Sequence, residues 1–131
     1  MAGLVALRLA LPQRLSREPL DELLRSLTPE SGARRESVPA SGKQDLLLIE
    51  RGLSRLPGIV STCLFRSLAR YAVLRRLGVE AVFVMGILQE GLAHDGHAWI
   101  ELAGQPFEEP ADVSQYTVTF RYPPFPALQT E

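Results

Sequence analysis

The chain has 131 residues, a net charge of -1 and a hydrophobic fraction of 46%. This is one domain's worth of sequence, long enough for a core without disulfides or a structural metal. The near-zero charge excludes bulk attraction to nucleic acid or an anionic membrane, and the composition excludes wholesale disorder. One cysteine forms no internal disulfide, which points to a reduced, cytoplasmic setting. The longest clean apolar run, Ala81 to Leu88, is too short to span a bilayer, and no signal peptide is visible.

Residues 1–17 fit two periods. Val5, Leu7, Leu9 and Leu11 alternate like a strand face, while Ala6 and Ala10 permit a helix, and Pro12 is expected to end either. Pro19 to Leu27 reads as a short helix, with proline in the first turn and Leu20, Leu23, Leu24 and Leu27 on one face. Thr28 to Gly42 is rich in proline, glycine, serine and charge, and is expected to be a mobile linker. Residues 1–43 are therefore set apart as an N-terminal segment of unknown function, and residues 44–131 as the working domain.

Lys43 to Leu56 reads as a second helix, stopped by Pro57-Gly58. A third starts after Ser61-Thr62. Its wide apolar face is Leu64, Phe65, Leu68, Tyr71, Ala72 and Leu74, and Gly78 caps it. Arg66, Arg70, Arg75 and Arg76 cover the rest, and Arg70, Arg75 and Arg76 read as a solvated face. Val, Ile and Phe then dominate Glu80 to Leu88, as in a buried strand. His97 to Leu102 is a second strand, Ala103-Gly104 a turn, Gln105 to Glu109 a third strand and Tyr116 to Tyr122 a fourth. Helices first and strands after imply an α+β fold, with N-terminal helices packed on a small antiparallel sheet.

Cys63 falls at a helix start, and His97 at a strand start 34 residues later. Glu108, Glu109 and Asp112 follow. The open first turn of a helix favours negative charge and offers amides to an oxyanion. An imidazole beside the thiol can take its proton and later give it to a leaving amine. A carboxylate on the far ring nitrogen fixes the tautomer. Each residue also has a plainer reading: Cys63 as a small buried hydrophobe, His97 as a satisfied structural histidine, Trp99 as core. Alternation puts His97, Trp99 and Glu101 on one face, so His97 faces the Cys63 helix only if Trp99 does too. His94-Asp95-Gly96-His97 invites a metal reading, disfavoured because the usual ligand spacings are absent. No cofactor is expected.

Four stretches in order resemble the lasso-peptide leader peptidases, the transglutaminase-like cysteine protease part of the B protein. They are Ser61-Thr62-Cys63-Leu64-Phe65-Arg66-Ser67-Leu68-Ala69, Leu74-Arg75-Arg76-Leu77-Gly78, Val84-Met85-Gly86-Ile87 and His97-Ala98-Trp99-Ile100-Glu101. The resemblance covers about residues 44–122. It implies a papain-like α+β fold and cleavage of one peptide bond in a ribosomally made precursor. The freed α-amine is then joined to an Asp or Glu side chain by a separate ATP-dependent cyclase. It also implies partners: the leader of the precursor and a small leader-binding recognition protein, separate here because no such domain precedes residue 44. Cys63 and His97 map onto the nucleophile and base. The family's Asp after the hairpin turn corresponds to Glu109, one methylene longer, with Asp112 as fallback. Two alternatives share the fold: a non-catalytic peptide-binding or scaffold protein, and a transglutaminase or other amidase.

Overall fold

A computed structural model describes residues 2–30, 32, 34–55, 62–88 and 96–124. Helix α1 spans Ala2–Arg17 and runs through Pro12 rather than ending there. An interior proline forfeits one backbone hydrogen bond and costs about 3 kcal/mol. Burial of Leu4, Leu7 and Leu11 on one helical face offsets that cost. The alternating strand reading fails for the same reason, because it would bury Val5 and Leu9, which are exposed. Helix α2, Leu20–Leu27, starts after Pro19 as expected and buries Leu23, Leu24 and Leu27.

The stretch expected to be a mobile linker is tied down. The Arg34 and Arg35 amides both donate to the Gly78 carbonyl, at 2.9 and 2.8 Å, and the Glu80 amide donates to the Arg35 carbonyl at 2.7 Å. Arg35 and Val79 form a parallel bridge. Helix α3, Ala40–Leu53, begins inside the expected linker, with Pro39 at its N-cap. Its expected end at Leu56 and the Pro57-Gly58 stop lie outside the described residues. The leucines of α1 and α2 share one core cluster with α4 and the sheet.

Helix α4, Cys63–Arg76, starts where the sequence indicated. The Thr62 hydroxyl oxygen accepts the Phe65 amide at 3.2 Å, a side-chain N-cap. The helix ends in a Schellman turn. Gly78 takes φ +81°, its amide donates to Arg75, and the Val79 amide donates to Leu74.

The sheet comprises β1 (Ala81–Leu88), β2 (Gly96–Leu102), β3 (Gln105–Pro106) and β4 (Tyr116–Tyr122), in the order β3-β2-β1-β4. All pairings are antiparallel. Ala103 and Gly104 both have positive φ, as the tight β2–β3 hairpin turn requires. The third strand ends at Pro106, short of the expected Glu109, because Glu108 adopts φ +45° and turns the chain. α4 packs on β1 and β2, and α1 and α2 pack on α4. Ala81, Phe83, Ala98 and Ile100 join the α4 core. Val84 and Trp99, a cross-strand pair, are also buried but outside that cluster. The α+β expectation therefore holds, with helices layered on a small antiparallel sheet.

Candidate active site

Cys63 is the first residue of α4. It is half-buried, and packs against the core at the end of the helix where amides lack intrahelical acceptors. Arg66 follows on the next turn. His97 is the second residue of β2, opposite Gly86 of β1.

The structure brings His97 and Glu109 together, with Nε2 of the imidazole 3.0 Å from a carboxylate oxygen of Glu109. The Glu109 side chain is only 1% exposed. A carboxylate that deep needs partners, and it has three. The same oxygen that meets the imidazole accepts the Ala111 amide at 3.0 Å, and the other lies 3.8 Å from an Arg66 guanidinium nitrogen. Glu109 thus links His97 on the sheet to the first turns of α4, where Cys63 sits. With Nε2–H donated to Glu109, Nδ1 is the ring nitrogen that accepts a proton.

Alternation had made the Trp99 side of β2 the test of whether His97 faces the helix. His97 does share a face with Trp99: their rings stack at 5.8 Å and 23°. It is Ala98 and Ile100, however, that enter the α4 core. The connection from His97 to α4 runs through the turn after β3 and its Glu109, not through the packed face of the strand.

The other two acids go elsewhere. Glu108 pairs with Lys43 at 2.9 Å on the surface. Asp112 caps the 3-10 turn Val113–Gln115, one of its oxygens accepting both the Ser114 hydroxyl and the Ser114 amide. Those bonds, the hydroxyl first, hold the Asp112 carboxyl below the usual carboxylate range. The fallback acid is a local cap.

Arg70, expected on a solvated face, is buried. It makes a two-point ion pair with Glu50 of α3, at 2.8 and 2.7 Å. It also donates to the carbonyls of Phe107 and Glu108, at 3.3 and 3.1 Å. One guanidinium therefore ties α4 and α3 to the turn that delivers Glu109. Arg75 is occupied too, donating twice to the Ala81 carbonyl. Of the three arginines, only Arg76 is an exposed residue.

Two residues of the site were not singled out in the sequence, although Gly86 stands in one of the resembling stretches. Tyr116 opens β4 and stacks on the His97 ring at 5.4 Å and 26°. Gly86 makes room for it. A Cβ there would stand 2.8 Å from the Thr117 carbonyl oxygen and 3.1 Å from the Tyr116 Cβ. The β1–β4 register also shifts at Met85/Gly86. Gly86→Ala should therefore push β4 from β1 and disturb the His97 ring contact, at about 1–3 kcal/mol for an overpacked site. Thermal melting and the His97 ring NMR signals report this. An unchanged melt with unchanged ring signals would show that β4 yields freely.

His94 and Asp95 of the metal reading lie outside the described residues. Among the described residues, no three His, Cys, Asp or Glu side chains group as metal ligands. Among them also, no helix is long and apolar enough to cross a membrane.

A thiol at a helix start and a carboxylate-bound imidazole on the sheet are groups of the kind that thiol-based acyl chemistry uses. The sequence comparison agrees. A family model described as the transglutaminase-like superfamily matches residues 3–121, and the chain belongs to that superfamily. The match begins in α1, ahead of the span over which the lasso-peptidase resemblance was drawn. The superfamily generally uses cysteine-based catalysis, which supports a peptidase or transglutaminase activity in general terms. No curated protein and no solved structure matches the chain.

Proposed function

We propose that this protein is a cysteine peptidase that removes the leader from a ribosomally made lasso-peptide precursor. The observation that carries the reading is the 3.0 Å bond between His97 and the buried Glu109, in a fold whose α4 opens with Cys63. In this reading Cys63 is the nucleophile, His97 the base and Glu109 the orienting acid. His97 Nδ1 takes the thiol proton as sulfur attacks the scissile carbonyl. The Cys63 and Leu64 amides at the open end of α4 are the oxyanion donors. Collapse of the tetrahedral intermediate breaks the C–N bond, and the imidazolium gives its proton to the departing amine of the core peptide. Water, deprotonated by His97, then releases the leader from the thioester. A transglutaminase would differ only in passing the acyl group to an amine instead of water, so the mass of the product separates the two.

On the lasso-peptidase resemblance, leader recognition is assigned to a separate leader-binding protein, and use of the freed amine to an ATP-dependent cyclase, all in the cytoplasm. Docking by the recognition protein would raise the effective concentration of the scissile bond. The test is precursor cleavage with and without that protein, read by mass spectrometry. Leader and core fragments should appear, faster when the partner is present. Equal rates would show that this chain recognises its leader alone, and no cleavage in either case would remove the proposal.

A further inference from the structure

Beside the His97–Glu109 pair, α1, α3 and α4 enclose a cleft of about 390 Å³. Its lining includes Arg8, Arg51, Arg66, Arg70, Glu50 and Ser54. Four guanidinium groups thus meet one carboxylate, in a chain whose net charge is -1. Glu50 is engaged by Arg70 in the two-point ion pair and also acts on Arg8, so Arg51 and Arg66 add the further positive charge of the cleft.

Arg8 is the costly member. It interrupts the apolar face of α1 and is only 3% exposed. Burial pushes its guanidinium pKa down; Glu50 opposes this, while Arg66 and Arg70 lower it further. Fold stability alone favours an apolar residue at such a position. Arg66 contacts Glu109 only at 3.8 Å, and its Nε is buried without a hydrogen-bond partner. It lies one helical turn from Cys63.

We propose that this cleft binds a carboxylate carried by an acidic side chain of the peptide substrate, close to the cleaved bond. The inference rests on the peptidase reading and adds a substrate class to it. Guanidinium forks match a planar carboxylate through paired charge-assisted hydrogen bonds. The volume admits an Asp or Glu side chain with water. Arg66 then joins the anion subsite to the carboxylate that holds His97, so occupancy places the peptide against the first turn of α4.

Phosphate offers similar oxygens, and the experiment separates the two. The full-length Cys63→Ala chain, which cannot turn over a substrate, is titrated at constant ionic strength with acetyl-Glu-amide, acetyl-Gln-amide and inorganic phosphate. Arginine Nε–Hε NMR signals are followed. Acetyl-Glu-amide should give saturable shifts, with acetyl-Gln-amide at least about tenfold weaker. Arg51→Gln should weaken the Glu binding several-fold. Arg51 is exposed, so this variant keeps its fold even if Arg8→Met does not. Equal shifts from the Glu and Gln amides would overturn the proposal. So would saturable binding of phosphate alone, or unchanged binding in Arg51→Gln. The readout needs no proteolysis. An inert Cys63 with intact Glu binding would therefore sink the peptidase reading and leave the anion site standing, and active cleavage without Glu preference would do the reverse.

Discussion

Cys63→Ala should abolish precursor cleavage while leaving the fold intact. The substitution removes one sulfur from a half-buried position at a helix start, so packing loss is small. The chemical loss is large: removing the nucleophile of a comparable hydrolase costs about a million-fold in turnover. The thiol should also react selectively. If His97 takes the thiol proton as proposed, iodoacetamide alkylation of Cys63 near neutral pH should outpace that of a model thiol. His97→Ala should remove that advantage. The measurement is alkylation rate against pH for the wild type and His97→Ala. If the wild type is no faster than the model thiol and His97→Ala changes nothing, Cys63 is a packing residue. The non-catalytic peptide-binding protein is then the better account.

Where the pattern was local, the sequence sufficed. The period of 3.6 over Leu64 to Leu74, with Thr62 before it and Gly78 after it, marked α4. Short Val- and Ile-rich runs around Ala103-Gly104 marked the hairpin of the sheet. Errors arose where distant contacts outvote a local rule. Pro12 is a stop signal by itself, yet three buried leucines carry α1 past it. The composition of residues 28–42 reads as a linker, yet the Gly78 carbonyl, far along the chain, collects two of its amides. Arg70 looks solvated because its partners, Glu50 and the turn after β3, are separated from it by 20 residues or more. The contact of Tyr116 with His97 likewise depends on Gly86, which no periodicity reveals. The acid of the site was only half legible. Spacing left Glu108, Glu109 and Asp112 open, and the family resemblance chose among them. Strand alternation does not separate Glu108 from Glu109, because β3 ends at Pro106. The positive φ of Glu108 is what turns the two apart.

Glu109→Gln should reduce turnover far more than Glu108→Gln or Asp112→Asn. Glu109 is buried and bonded to Nε2 of His97, so its charge acts on the imidazolium at close range and with little solvent screening. Glutamine keeps the shape, and its oxygen can still accept the Ala111 amide, so folding should be little affected. It supplies no negative charge to the imidazolium, and its amide can donate to Nε2 and hold the wrong tautomer. In a related triad, loss of the orienting acid costs up to about ten-thousand-fold, with a thiol nucleophile more tolerant. The controls have local partners. Glu108 gives up only its surface pair with Lys43, of a kind that contributes about 1 kcal/mol or less. Asp112→Asn keeps an oxygen for the Ser114 amide. Single-turnover cleavage by the three variants decides the matter. A severe defect in Asp112→Asn beside a near-normal Glu109→Gln would transfer the role to Asp112, and would require the 107–112 segment to rearrange when peptide binds.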